Sequence, residues 1–91
     1  MTPAFEWFAS GVELPSLDYR QLEQWIVRVA DSYNRIVRTV NYIFCDDEEI
    51  LKVNRRFLNH YYYTDIITFD YCSGHLLRGD LYISLDTVRS N

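Results

Sequence analysis

The sequence predicts an α+β fold, a mixed four-stranded sheet with helices packed on it. Its extended and helical segments follow the order β-α-β-α-β-β, and a further helix begins at the end. The connection between the last two strands is short, which implies an antiparallel pair. With 91 residues, of which 48% are hydrophobic, the chain can bury one core, so we expect a single domain over residues 1–91.

The first strand and the first helix account for the N-terminal third of the chain. Residues 4–8 are aromatic-rich and short, which is typical of a strand. Asp18, with Gln21 three residues later, resembles a capping box at the start of the helix, and Asn34 is its predicted end. An apolar stripe at steps of three and four residues is predicted to face the sheet: Leu22, Trp25, Ile26, Val29, Ala30 and Tyr33.

The second strand is predicted over residues 36–45, and its last residues are apolar on both faces, as in a central strand. Four acidic residues, 46–49, then mark a helix start, where carboxylates oppose the positive end of the helix dipole. Asp46 and Glu49 again have the spacing of a capping box. The inward face of this second helix is predicted from apolar spacing: Ile50, Val53 and Phe57.

The C-terminal third is predicted as a loop followed by two strands. Residues 59–65 show no helical period, and residues 66–72 form a β-branched and aromatic run that predicts the third strand. The fourth strand is predicted over residues 81–85, with Gly79 and Asp80 just before it. We expect Gly79 to provide an unusual backbone angle or a close approach between backbones.

Helical residues begin at Ser84, and the chain stops at Asn91 after barely one turn. Because helix nucleation is costly, one isolated turn cannot sustain itself or bury an apolar face. We therefore expect that the chain lacks a C-terminal segment.

Composition and charge exclude several classes of protein. A formal net charge of −4 argues against binding nucleic acid through bulk charge, although it leaves room for a local basic patch. No apolar run approaches the length of a membrane span, and no signal peptide is recognisable. Cys45 and Cys72 lack C-x-x-C spacing, and we expect two buried thiols in a reducing cytosol. The expected location is the cytoplasm.

Without analogy, the residues indicate little chemistry. His60 and His75 lie in predicted loops and lack the His-x-x-x-His spacing of a helical zinc site. The tyrosine run 61–63 could stack on unpaired RNA bases, although packing of these rings on the sheet is the favoured interpretation. Three basic residues nearby could meet phosphates: Lys52, Arg55 and Arg56.

Two blocks resemble a known family. Residues 54–69, Asn-Arg-Arg-Phe-Leu-Asn-His-Tyr-Tyr-Tyr-Thr-Asp-Ile-Ile-Thr-Phe, resemble the central signature of the YbeY family, single-strand-specific metallo-endoribonucleases of ribosomal RNA maturation. Residues 79–84, Gly-Asp-Leu-Tyr-Ile-Ser, resemble the family's Gly-Asp-aliphatic-x-Ile-Ser strand. The matching positions of the first block are Asn54, Thr64, Asp65, Ile66, Ile67, Thr68 and Phe69. The resemblance implies a zincin-like metallohydrolase architecture, of which the chain is the N-terminal part.

The chain also departs from the family pattern. Leu58 stands where many members carry an arginine regarded as functionally important, and Tyr61 stands where they carry an acidic residue. The family's zinc ligands, a helical His-x-x-x-His and a third histidine, lie C-terminal to the Gly-Asp-Ile-Ser strand. We therefore assign no metal ligand within the chain and expect these histidines beyond Asn91.

The resemblance implies hydrolysis of single-stranded RNA by a zinc-activated water, in 16S rRNA maturation and ribosome biogenesis and quality control. The implied partners are rRNA and the ribosome, without membrane or DNA, and the 91-residue chain by itself is expected to be inactive. The candidate cleft residues are Thr64, Asp65, Asp80 and Ser84, and the candidate substrate-binding residues are Asn54, Arg55, Arg56 and Tyr62. Asp65 and Ser84 could equally be turn and helix caps. The alternative function is a non-catalytic RNA- or ribosome-associated module without metal.

Overall fold

The computed structural model describes residues 2–59 and 64–90. No helix in this part of the chain is long and apolar enough to cross a membrane. Four strands, three α-helices and one π-helix follow one another in the described residues. In chain order they are β1 Ala4–Ser10, α1 Tyr19–Ser32, β2 Ile36–Cys45, α2 Asp47–Val53, the π-helix Asn54–Leu58, β3 Ile66–Asp70, β4 Leu76–Ser84 and α3 Leu85–Ser90.

The strands form one mixed sheet in the order β1-β2-β4-β3, which confirms the predicted α+β class. β2 is parallel to both β1 and β4, whereas β3 and β4 are antiparallel, as the short connection between them predicts. A tight turn makes this connection: Ser73 and Leu76 exchange two backbone hydrogen bonds around Gly74, whose φ is +58°. β2 and β4 are therefore the central strands, and β1 and β3 are the edges.

The helices α1 and α2 lie on opposite faces of the sheet. On one face, α1 packs over a cluster centred on Ala30, Val37 and Val40, beside which the Trp7 ring stacks on Tyr42 at 4.3 Å. Burial raises the pKa of the Tyr42 phenol. The other face carries a cluster under α2, made of Cys45, Ile50, Val53 and Ile67. Capping is as predicted for both helices, because Asp18 accepts from the Gln21 amide and Asp46 from the Glu49 amide.

The predicted apolar stripe of α1 is only partly correct. Ala30 is buried and Ile26 packs against the cluster, but Trp25 is 56% exposed and Tyr33 75% exposed. Val27, which the stripe omitted, contacts the sheet instead. An apolar stripe this wide cannot face one sheet surface along its whole width. The side of α1 that faces the sheet is the one that carries Ala30, its smallest apolar residue. The side that carries the large rings of Trp25 and Tyr33 lies in solvent.

The second helix also differs from its prediction at its C-terminal end. Ile50 and Val53 are buried as expected, whereas Phe57 is 59% exposed. The reason is the π-helical turn over Asn54–Leu58, which adds a residue to the turn and rotates Phe57 out of the α-helical register. Its ring still meets the Phe69 ring edge-on, with centroids 5.7 Å apart.

Three further expectations need correction near β3 and β4. β3 ends at Asp70, so Cys72 is exposed rather than buried, while Cys45 is fully buried. β4 begins at Leu76, five residues earlier than predicted, because its first residues pair with the start of β2. Gly79 and Asp80 therefore lie inside the strand. The expected close approach at Gly79 is confirmed, since a Cβ there would lie 2.7 Å from the Phe69 carbonyl oxygen.

Candidate functional site

The ends of five elements meet at one corner of the sheet. β2 and β4 are parallel, so their carboxyl ends coincide, and Cys45 and Ser84 are register partners there. α2 and α3 start directly after these strands. β3 runs the opposite way and begins at the same corner, where the Ser84 amide donates to the Asp65 carbonyl oxygen at 2.8 Å. The topology thus brings Asp65 and Ser84, far apart in sequence, into direct contact.

A hydrogen-bonded group of four side chains joins the two helix starts at this corner, and we call it the corner cluster: Asp47, Ser84, Asp86 and Thr87. The Ser84 hydroxyl donates to Asp47 Oδ1 at 2.6 Å, and the Thr87 hydroxyl donates to the same oxygen. Ser84 Oγ also accepts from the Thr87 amide at 3.3 Å. Asp86 Oδ2 accepts from the Asp47 amide at 3.0 Å. Donation from the Ser84 and Thr87 hydroxyls holds the pKa of Asp47 below its usual value.

These contacts bear on two candidate cleft residues. Ser84 is fully buried and sits in the N-cap position of α3. The Asp65 carboxylate accepts from the amide of Ile66, the next residue, at 2.9 Å, and Thr64 adjoins it in the chain with partial exposure. The described side-chain contacts of Ser84 are therefore a helix cap and a hydrogen bond to Asp47, and that of Asp65 is a local turn bond. Their participation in a cleft, like that of Thr64 and Asp80, stays a prediction.

Asp80 is not part of the corner. It lies in the middle of β4, half-buried, where its carboxylate accepts from the Asn41 side-chain amide across the strand pair at 2.8 Å. Asp80 lies four positions before Ser84 along the strand, a distance of about 13 Å. The two side chains share a face of the sheet, because they are an even number of residues apart, but the structure does not bring them into contact.

The candidate substrate-binding residues Asn54, Arg55 and Arg56 all lie in the π-helix. The Asn54 side chain is only 1% exposed, so it lies inside the fold. Arg55 and Arg56 are exposed, and the Arg56 guanidinium lies 5.5 Å from the centroid of the Phe57 ring. Tyr62 lies outside the described residues. The substrate-binding roles of these four residues stay predictions.

Charge divides the surface of this helical segment. Acidic side chains crowd the corner: Asp46, Asp47, Glu48, Glu49 and Asp86. Arg55 follows Asp47 by eight helical residues, a rise of about 12 Å. Since phosphates are repelled by carboxylates and attracted by guanidinium groups, the arginine end of the segment is the end that favours a phosphate group.

The described residues do not fit a zinc ion. Among residues 2–59 and 64–90, no three histidine, cysteine, aspartate or glutamate side chains are placed to hold a metal. Burial and the nearby carboxylates of Glu49, Asp46, Asp47 and Asp86 raise the pKa of Cys45 to about 12, which disfavours the thiolate that a metal requires. His75 is exposed in the turn before β4.

Sequence reasoning missed Asp47 and Thr87. It assigned the acidic run at residues 46–49 to helix capping and stopped there, although Asp47 contacts residues about 40 positions away. A signal was available in the spacing of Ser84 and Thr87 at a helix start, which predicts that the Ser84 oxygen caps the helix by accepting from the Thr87 amide. A capping hydroxyl still carries a proton, and that proton needs an acceptor elsewhere. The sequence does not say which carboxylate supplies that acceptor.

The fold and this corner define a small α+β chain in which two helices start together at the carboxyl ends of the central strands. The family model for "Endoribonuclease YbeY" matches residues 9–91. The chain therefore belongs to the YbeY endoribonuclease family, which confirms the resemblance of its two sequence blocks.

Individual relatives agree with the family match. The chain is 57% identical over 81 residues to an "Endoribonuclease YbeY" of Bacteroides thetaiotaomicron, 89% of this chain and 59% of the relative. It is 50% identical over 88 residues to that of Bacteroides fragilis, 97% of this chain and 63% of the relative. It is 55% identical over 84 residues to that of Porphyromonas gingivalis, 92% of this chain and 56% of the relative. The chain thus spans about three fifths of the length of these relatives.

Proposed function

We propose that the protein to which these residues belong is an endoribonuclease that hydrolyses single-stranded RNA in the cytoplasm, in 16S rRNA maturation and ribosome biogenesis and quality control. The observation that carries this proposal is the 57% identity, over 89% of the chain, to a relative named as an endoribonuclease. The substrate is rRNA and the associated particle is the ribosome, without a membrane or DNA partner. Residues 1–91 form the N-terminal part of its catalytic domain.

The proposal divides the reaction between this chain and residues outside it. The family resemblance implies a zinc ion, which would supply an activated water, held by histidines beyond Asn91. The described residues supply no such ligand set, so their proposed contribution is to bind and orient the RNA. Arg55 and Arg56 would contact phosphates at the end of the helical segment remote from the acidic corner. Thr64 and Asp65 would line the cleft, beside the strand end that carries Ser84.

The experiment starts from the coding DNA around these residues, so that the complete gene product is assayed. We expect it to cleave a single-stranded RNA and to leave a duplex of the same sequence intact. A chelator should stop the cleavage and added zinc should restore it. Failure of the zinc-loaded protein to cleave any single-stranded RNA would contradict the proposal, and cleavage that ignores the chelator would remove the metal from it.

Paired arginine variants test the proposed phosphate contacts. Arg55→Ala and Arg56→Ala should raise KM about threefold to tenfold with kcat nearly unchanged, because a phosphate contact made equally in the ground state and the transition state contributes binding only. Arg28→Ala is the matched control, since Arg28 is an exposed arginine of α1, on the opposite face of the sheet. An equal rise in KM in the control would show that the effect is one of net charge.

A further inference from the structure

We propose that Asp47 is a positioning residue of the proposed ribonuclease, which acts through Ser84 and Thr87 by fixing the start and direction of α3. The inference rests on the proposed function for its catalytic readout, but its structural basis is independent of that function. Asp47 belongs to the first turn of α2, and both hydroxyls that it binds belong to the start of α3. It is thus a direct link between the two helices.

The link is reciprocal. α3 receives the Asp47 carboxylate at its first turn, and α2 receives the Asp86 carboxylate at its first backbone amide. Each helix also has its own cap, Asp46 for α2 and Ser84 for α3. The first amides of a helix lack partners inside the helix, and Asp86 supplies an acceptor to the first amide of α2, while Asp47 accepts from the Ser84 and Thr87 hydroxyls at the start of α3. A rotation of α3 would break contacts at both helix starts.

Asp47 is needed as the acceptor for the Ser84 hydroxyl, because Ser84 is fully buried and water cannot take that place. The Ser84 oxygen accepts from the Thr87 amide, while its proton goes to Asp47 Oδ1 at 2.6 Å. Without that oxygen the hydroxyl would be a buried donor with its partner removed, which is costly. A carboxylate is also a stronger acceptor than a neutral amide for two hydroxyl donors on one oxygen.

The corner cluster acts on the start of α3, which the structure describes over Leu85–Ser90. It supplies side-chain hydrogen bonds between the first turn of this helix and the first turn of α2. Hydrogen bonds are directional, so these contacts orient the helix where it leaves the sheet. Ser84 is also tied through its amide to the Asp65 carbonyl oxygen at 2.8 Å. Asp47 thus fixes both the direction in which the chain leaves the corner and the strand end beside the candidate cleft residue Asp65.

The decisive variant is Asp47→Asn in the complete gene product, with Glu48→Gln as the matched control. Glu48 carries the same charge in the same helical turn but is exposed. We expect Asp47→Asn to lower kcat for RNA cleavage about 100-fold with KM nearly unchanged, because a small misplacement of catalytic geometry has effects of this size. Thr87→Val, which removes one of the two hydroxyl donors, should lower kcat by a smaller factor, and Glu48→Gln should not lower it.

Hydrogen exchange supplies the readout that does not need activity. In Asp47→Asn the amides of residues 85–90 should exchange faster, while those of β2 and β4 keep their protection. Unchanged exchange in α3, or an unchanged kcat, would overturn the positioning role. Equal loss of protection throughout the sheet would show a purely structural role and would also overturn it. If the unmutated protein cleaves no RNA, the proposed function fails, and exchange in α3 still decides whether Asp47 holds the helix.

Discussion

The two faces of the sheet are covered by helices that are held through different kinds of contact. On the face covered by α2 lie the largest fully buried side chains of the described residues: Ile50, Asn54, Cys45 and Ser84. Under α1, Ala30, Val37 and Val40 are 3–8% exposed, and the flank of the helix leaves Trp25 and Val29 in solvent. The corner combines apolar burial with several side-chain hydrogen bonds between element ends, whereas α1 combines apolar contact with a hydrogen bond from Trp7 Nε1 of β1 to Glu23.

This difference separates the part of the molecule that must be placed accurately from the part that need only cover the sheet. Apolar contact is non-directional and tolerates small rotations of a helix. Hydrogen bonds weaken steeply when their angles change, so the contacts at the corner specify how α2 and α3 are oriented. Variants at the corner should therefore cost more free energy of unfolding than matched variants under α1.

The largest expected effect is that of Ile50→Ala. Ile50 is 0% exposed in the cluster under α2, and truncation of a fully buried isoleucine lowers the free energy of unfolding by about 2–5 kcal/mol. The matched variant is Ile26→Ala in α1, whose half-buried side chain should cost about half as much. Urea unfolding followed by tryptophan fluorescence measures both, since Trp7 stacks on Tyr42 in the fold. Equal losses would contradict the distinction between the two faces.

A substitution inside the sheet tests how closely β3 and β4 approach each other. In Gly79→Ala the new Cβ would lie 2.7 Å from the Phe69 carbonyl oxygen, a backbone atom that cannot move without parting the strands. Forced crowding of this kind lowers the free energy of unfolding by about 1–3 kcal/mol.

Gly74→Ala is the control for this substitution. Gly74 has a φ of +58°, and nothing lies within 4 Å of its Cβ position. It therefore reports the backbone penalty alone, about 1 kcal/mol. Urea unfolding of the two variants compares them directly, and a Gly79→Ala protein as stable as the parent would mean that the strands separate at no cost.

The sequence was sufficient wherever structure is local. Element order, both aspartate caps and the central position of β2 depend on residues within a few positions of one another, and all of them are confirmed. The early start of β4 was not predictable, because Leu76 and Leu77 become strand residues by pairing with Ile36 and Val37. The π-helical turn and the exposure of Phe57 likewise depend on packing that single-chain periodicity does not encode.

In the candidate site, too, the contacts that depend on long-range pairing could not be predicted from the sequence. The contact between Asp65 and Ser84 follows from strand order, which motif positions alone do not contain. The carboxylate that accepts the Ser84 hydroxyl belongs to Asp47, 37 residues earlier, and only the meeting of two helix starts selects it. Asp80 shows the opposite case, since it is close to Ser84 in sequence but about 13 Å away along an extended strand. Position in a motif therefore names candidate residues but does not say which of them lie together in the fold.

The smallest predicted effect compares the two aspartate caps. Asp46 accepts from the Glu49 amide at 2.9 Å in partly buried surroundings, and Asp18 accepts from the Gln21 amide at 3.1 Å in solvent. Replacement of a cap by alanine costs about 0.5–2 kcal/mol. We expect Asp46→Ala near the upper end and Asp18→Ala near the lower end, because water can replace the lost acceptor only at the exposed site.

Asparagine at each position keeps a capping oxygen and removes the charge, so Asp46→Asn and Asp18→Asn isolate the hydrogen bond from the helix dipole. Thermal unfolding of the four variants gives the comparison. If both alanine variants lower the melting temperature equally, solvent access does not decide the cost of a missing cap. The orientation of α2 at the corner would then come from the corner cluster without help from Asp46. If Asp46→Ala costs more, as expected, the cap and the corner cluster together hold α2 in the orientation from which Asp47 reaches Ser84.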